Sequence, residues 1–215
     1  METLHAHSSL KQHEPPRKIG ILGGTFNPVH RGHIEVAKKI VAEFSLSCCY
    51  LMLSGNPPHK PARVLASPED RYEMLRLATE NEPLLLPCDI EMNRPGKIYT
   101  VDTLHALRHI FQNDRLYYII GADTLFELEG WRDAPEVFSL VSFISMDRVG
   151  VDKKSATITA IRLREQYAAD ILLSAHTGPD ISSSHIRTLI RQNKDVSGYL
   201  DRKVEDYIIK HGLYK

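Results

Sequence analysis

Cysteine is scarce, with three in 215 residues. Cys48 and Cys49 are neighbours inside an apolar run, Cys88 is isolated, and no CxxC pair occurs. A disulfide framework has no material here, and the pattern reads as reduced, buried thiols in a cytoplasmic protein. Net charge is missing too. Lys plus Arg and Asp plus Glu stand at 27 each, so no global basic field exists to grip a nucleic-acid backbone, although a local basic pocket remains open. No apolar run nears the roughly 20 residues that cross a bilayer. Neither a nucleic-acid nor a membrane partner is expected. The opening METLHAHSSLKQHEPP lacks the apolar stretch of a secretory signal. We read 1–16 as a flexible N-terminal extension and 17–215 as one domain. His5, His7 and His13 have no Cys or carboxylate at ligand-like spacing, and no metal site made of protein groups alone is expected.

Two familiar phosphate loops are also absent. Gly20, Gly23 and Gly24 do not give G-x-G-x-x-G, and there is no G-x-x-x-x-G-K-[ST]. Internal repeats and low-complexity linkers are lacking as well.

What is present is a regular alternation. Apolar runs at 18–22, 48–53, 84–87, 115–121, 140–146 and 171–175 read as strands. Between them, 32–44, the segment after Ser67, 100–111 and 156–168 carry helical periodicity, and two further helices are expected near 183–192 and 201–211. Ser67 is a candidate N-cap, with Pro68 at the first helical position and acidic residues behind it. The strands are continuously apolar rather than alternating, the mark of a parallel sheet covered on both faces. The expected fold class is therefore α/β, doubly wound around a mainly parallel sheet, with C-terminal helices. Ligands of such sheets lie beyond the carboxyl ends of the strands. The polar loops after strands one, two, four and six are the ones expected to meet there.

The stretch IGILGGTFNPVHRGHI (19–34) sits at the first of these ends. Gly23 and Gly24 read as a turn that lets backbone N–H groups approach an anion, and Thr25 adds a hydroxyl. His30 and His33 bracket the start of the next helix, whose N-terminus favours phosphate. Imidazoles in that position suit a polyphosphate whose charge shifts during reaction.

These residues carry a resemblance. GGTFNPVHRGHI resembles the TFxPxHxGH signature of the nucleotidylyltransferase superfamily, and the chain is similar along nearly its whole length to bacterial nicotinate-nucleotide adenylyltransferases. NPPHK (56–60), SPEDRYEML (67–75), RPGKIYTVDTL (94–104), IGADTLFELEGW (120–131), ISSSHIR (181–187) and VEDYIIKHGLY (204–214) match that family's segments in order. Asn27 stands where the family usually has Asp, with a similar local turn role expected; Ile98 replaces a usual Ser and Ser184 a usual Thr.

The resemblance implies a Rossmann-like fold and transfer of AMP from ATP to nicotinate mononucleotide, releasing pyrophosphate in NAD biosynthesis, with Mg2+ accompanying the ATP. It implies that His30, His33 and Arg187 are catalytic. It places the ATP phosphates and ribose against Gly23, Gly24, Thr25, Phe26, Lys60, Gly121, Asp123, Ser182 and Ser183, with Arg148 as a further lining residue. It places the nicotinate end against Trp131, by stacking, and against the backbone at Tyr99 and Thr100. Taken alone, Asp123 could simply be an N-cap and Trp131 a packing residue. Two other readings stay open: a different adenylyltransferase of the superfamily, such as one acting on pantetheine phosphate, and a nucleotide-binding regulator without catalysis. The oligomeric state is open too.

Overall fold

The computed structural model describes residues 15–55, 65–94, 96–147 and 152–215. Its centre is a six-stranded sheet, every pairing parallel, of strands β1 (Lys18–Gly24), β2 (Cys48–Leu53), β3 (Leu85–Cys88), β4 (Arg115–Gly121), β5 (Ser142–Asp147) and β6 (Ile171–Thr177). The order is β3-β2-β1-β4-β5-β6. The chain winds outwards from β1 in both directions, so a crevice opens where β1 and β4 lie side by side.

Eight helices accompany the strands among the described residues: α1 (Arg31–Phe44), α2 (Pro68–Thr79), α3 (Thr100–Ile110), the short α4 (Ala122–Leu125), α5 (Ala134–Leu140), α6 (Lys153–Tyr167), α7 (Ser183–Arg191) and α8 (Arg202–His211). Successive strand residues feed opposite cores. Ile19, Ile21, Tyr50 and Met52 meet Leu104, Val137 and Leu163 of α3, α5 and α6 on one face. Cys49, Leu51 and Leu53 meet Ile40, Met74, Ile186 and Ile208 of α1, α2, α7 and α8 on the other. A strand buried on both faces has no polar side to show, which is why its sequence is apolar throughout. Edge strand β6 breaks this rule: Ile171 is buried and Leu173 is 40% exposed.

The doubly wound parallel fold expected from the sequence is the one observed, and Ser67 caps α2 by accepting from Asp70 N at 3.0 Å. Some boundaries differ for local reasons. Strand β5 starts at Ser142, because Leu140 still belongs to α5, a helix that the sequence reading passed over. Helix α6 starts at Lys153, since Asp152 accepts from Lys154 N and Ser155 N. The largest correction concerns the glycines. β1 continues through both of them, Gly23 pairing with Met52 and Gly24 with Leu53. They are strand residues rather than a turn. A Cβ on Gly23 would stand 2.6 Å from the Tyr118 hydroxyl, and one on Gly24 2.8 Å from the Phe26 ring. Close packing, not a positive φ, is what requires glycine there. No described helix is long and apolar enough to cross a membrane.

Candidate functional site

Beyond the end of β1 the chain turns at Thr25–Pro28 and enters α1. Phe26 takes a left-handed backbone (φ 45°) and buries its ring. That conformation is costly for a residue with a Cβ. The ring lies under Gly24 and meets His33 edge-on, with centroids 5.0 Å apart. Only the main chain of Phe26 can face a ligand.

His30 is the N-cap of α1 and His33 lies in its first turn. The two imidazoles stack, with centroids 3.6 Å apart and planes 24° apart. His33 Nδ1 accepts the His30 N–H at 3.2 Å, so the proton of a neutral His33 ring sits on Nε2 and points a donor away from the helix end. His30 is buried, and burial lowers its pKa to about 4, leaving it neutral at pH 7. Its Nδ1 is buried and makes no full hydrogen bond, facing the His33 main-chain N–H in a capping-box arrangement. A native structure rarely strands such an atom without a ligand or water to meet it. Gly32 makes the arrangement possible, because a Cβ there would press on the His30 ring at 3.0 Å and on Pro179 at 3.1 Å.

Across the crevice, α7 aims its N-terminus at the same space. Ser182 caps it by accepting from His185 N at 3.2 Å. Ser183 Oγ donates to Pro28 O at 2.9 Å, which fixes α7 to the β1 loop and leaves first-turn N–H groups as the anion donors. One turn on, Arg187 donates from Nη1 to Asn27 O at 2.8 Å and from Nη2 to Ser184 Oγ at 3.1 Å. Its Nε is buried with no partner, and desolvation lowers its pKa from the ordinary arginine value. His30, His33, Gly121, Ser182, Ser183 and Arg187 thus line one cleft of about 370 Å³, floored by Leu22, Met146 and Asp147. A second hollow of about 430 Å³ runs behind α1 beside Lys38 and Asp201. His30 borders this hollow as well, but Arg187 and the α7 N-terminus line only the first, which is therefore the candidate site.

Asp123 is in the first turn of α4, not its N-cap; that position is held by Gly121. A Cβ on Gly121 would stand 2.5 Å from Asp123 Oδ1, so glycine is what lets this carboxylate lie back over the strand end. Trp131 is half-buried and packs edge-on against Tyr118 and Phe143, at centroid distances of 6.1 and 6.2 Å. Its neighbour Arg132 sits 4.4 Å from the ring centre of Tyr99, the N-cap of α3. Trp131, Tyr99 and Thr100 are therefore drawn into one neighbourhood. The loop before α3 is tied to the end of β2 by Gly55, where a Cβ would come within 2.2 Å of Glu91 O. Lys60, Arg148, His5, His7 and His13 lie outside the described residues. Among those described, no group of three or more His, Cys, Asp or Glu could hold a metal ion.

Sequence reasoning missed two contributors. Arg71 is 1% exposed and donates to four main-chain carbonyls: Thr25 O at 2.9 Å, Ser54 O at 3.0 Å, Gly55 O at 3.1 Å and Ala66 O at 3.2 Å. The available signal was a charge on the apolar stripe of α2, three and four residues before Met74 and Leu75. Asn27 acts at long range rather than as a local turn cap. Its Oδ1 accepts from Ala66 N at 3.0 Å and from the Tyr214 hydroxyl at 2.8 Å.

A family model described as cytidylyltransferase-like matches residues 21–189. A relative from Desulfitobacterium hafniense (strain Y51), named "Probable nicotinate-nucleotide adenylyltransferase", is 38% identical over 201 residues, 94% of this chain and 97% of its own. One of the same name from Thermoanaerobacter sp. (strain X514) is 34% identical over 199 residues, 92% of this chain and 94% of its own. Among solved structures, a Plasmodium falciparum nicotinic acid mononucleotide adenylyltransferase complexed with NaAD superposes with a TM-score of 0.74 at 21% identity, over 92% of this chain and 97% of that one. At that identity the likeness speaks for the fold.

Proposed function

The chain belongs to the cytidylyltransferase-like family and, within it, to the nicotinate-nucleotide adenylyltransferases, and on that footing we propose that it joins nicotinate mononucleotide to the AMP part of ATP, forming nicotinate adenine dinucleotide and pyrophosphate. The observation that carries this reading is the cleft at the β1–β4 switch point. There a buried His30 nitrogen and a buried Arg187 nitrogen without full hydrogen bonds converge with the N-terminus of α7, which Ser182 caps at His185 N alone. Such a set suits a polyphosphate.

In the reaction, a 5′-phosphate oxygen of nicotinate mononucleotide attacks the α-phosphorus of ATP. A P–O bond forms as the bond to the bridging oxygen breaks, and pyrophosphate leaves with the electron pair. Both reactants are anions, so positioning and charge stabilisation dominate, and no side-chain nucleophile is required. The His33 Nε2–H, the α7 N–H groups and Arg187 meet the phosphates; neutral His30 adds hydrogen bonding without a charge. Gly121 leaves room for the ribose, and Asp123 accepts from its hydroxyls. Gly23 and Gly24 shape the strand end, while Thr25 and the Phe26 main chain form the rim. Lys60 and Arg148 are further phosphate and nucleotide contacts. A divalent ion, which we take to be Mg2+, arrives with the ATP. The three thiols are free, and burial raises the pKa of each, which accords with the reducing cytoplasm as the place of work.

At the other end of the crevice, Trp131 stacks on the pyridine ring and the N–H groups at the start of α3 receive its carboxylate. Stacking on a base is worth roughly 1–3 kcal/mol. Trp131→Ala should therefore lower kcat/KM for nicotinate mononucleotide by about ten- to a hundredfold while ATP affinity stays near normal. Unchanged acceptor kinetics with a normal melting temperature would take Trp131 out of the site.

Pyrophosphate release with ATP and a panel of acceptors tests the whole reading. Nicotinate mononucleotide should be used, and phosphopantetheine should not. The nicotinamide mononucleotide should fall behind by at least about tenfold in kcat/KM, because its NH2 would face an N–H donor and leave one contact unmade. Equal use of acid and amide would refute the donor-lined pocket, and ATP binding without pyrophosphate release would refute the enzyme.

A further inference from the structure

Beneath the candidate site, a tyrosine far along the chain is wired to its arginine. Helix α8 ends in a left-handed cap at Gly212 (φ 64°), where Leu213 N bonds Ile208 O at 3.0 Å and the chain reverses. The reversal carries Tyr214 back under the β1 loop, and its hydroxyl donates to Asn27 Oδ1 at 2.8 Å. The same oxygen accepts from Ala66 N at 3.0 Å. Asn27 is 2% exposed, so these two donors fix the amide in a dry setting where an unmet oxygen is costly. The main-chain oxygen of that same residue accepts the Arg187 Nη1–H at 2.8 Å.

We propose that Tyr214 is a positioning residue for Arg187, acting through Asn27, and that the fold uses it to aim the guanidinium at the ATP phosphates. The inference rests on the proposed adenylyltransferase reading. Its physical basis is the weakness of the intermediate link. Asn27 O belongs to a turn outside any regular hydrogen-bond ladder, held by Arg71 at Thr25 O, by Ser183 at Pro28 O and, at the residue itself, by the Asn27 side chain. The guanidinium fork recognises phosphate through directed N–H bonds, and a displacement of about 1 Å is enough to misalign them. The ring packs against the α2–α7–α8 core, and a purely structural role for the hydroxyl would show as lost stability with both substrates affected alike.

Tyr214→Phe keeps the ring and deletes the donor. It should lower kcat/KM for ATP and weaken ATP binding measured by calorimetry, each by about five- to twentyfold, while KM for nicotinate mononucleotide and the melting temperature stay near wild type. The decisive comparison is a double-mutant cycle. In an Arg187→Ala background the further change Tyr214→Phe should cost less than twofold. An unchanged ATP affinity in Tyr214→Phe would overturn the proposal, as would an equal fold-loss with and without Arg187. A Tyr214→Phe protein that melts early and loses both substrates alike would assign the hydroxyl to stability and overturn it too. The calorimetric arm needs no turnover, so if wild-type protein released no pyrophosphate, the functional reading would fail while the coupling was still measured.

Discussion

His33→Ala is expected to lower kcat by roughly 10²- to 10³-fold, the scale on which enzymes lose rate when one donor to a developing charge is removed. The reason lies in the tautomer. Because His33 Nδ1 accepts the His30 N–H, Nε2 carries the proton and is the atom offered to the cleft. Two isosteres separate the jobs of the ring. His33→Asn can restore the acceptor at the Nδ1 position and with it the capping-box bond from the His30 N–H, worth about 1 kcal/mol. It has nothing at the Nε2 position. Asn should therefore recover stability but not rate, whereas Gln, which reaches the Nε2 position with an amide N–H, should recover part of the rate. Steady-state kinetics and thermal melts on the three variants check this, and near-normal turnover in His33→Ala would remove His33 from catalysis.

Arg71→Met is expected to be the most destabilising single change considered. The side chain is a cation at 1% exposure, and its recorded partners are four carbonyl oxygens rather than a carboxylate. Desolvation lowers its pKa from the ordinary arginine value, yet carbonyl dipoles from four residues keep the charge tolerable. Methionine fills much of the volume and leaves the acceptors bare. Each buried, unmet acceptor costs about 1–3 kcal/mol. Even if water or relaxation rescues half of them, at least about 2 kcal/mol is lost, from a total stability on the order of 5–15 kcal/mol. At roughly 2–4 °C per kcal/mol for a chain of this size, the melting temperature should fall by at least about 4 °C. Arg71→Lys keeps the charge but not the fork and should fall in between. A melt within 2 °C of wild type for Arg71→Met would show that the four bonds contribute little.

The fold was legible because its signals are local. CCYLML and RLYYIIG announce buried strands within a few residues, and the observed β2 and β4 have the expected bounds. The two histidines were legible because they share one helix end. The place of Arg187, one turn into a helix, was readable from ISSSHIR, but its bond to Asn27 O was not. The bonds that hold the site together were hidden for the opposite reason. Nothing near Arg71 in the sequence says that Thr25 and Gly55 are its partners, and nothing near Asn27 points to Tyr214. The glycine pair misled because glycine has two uses. A turn needs its positive φ, whereas β1 needs only its missing Cβ, and the sequence is identical in both cases.

The three bonds that lash α7 and Tyr214 to the β1 loop join residues 155, 160 and 187 positions apart in the chain. Closing loops of that size costs entropy that local contacts do not return, so these contacts belong to the end of folding, not its beginning. During synthesis, the β1 loop and its histidines emerge early and wait for almost the whole chain before their cradle can close. A partly folded or cleaved chain lacking α7 and α8 would thus lack the wall that closes the cleft beside His30 and His33, and part of one core as well. On the proposed reading, ligand affinity would report the completeness of the fold.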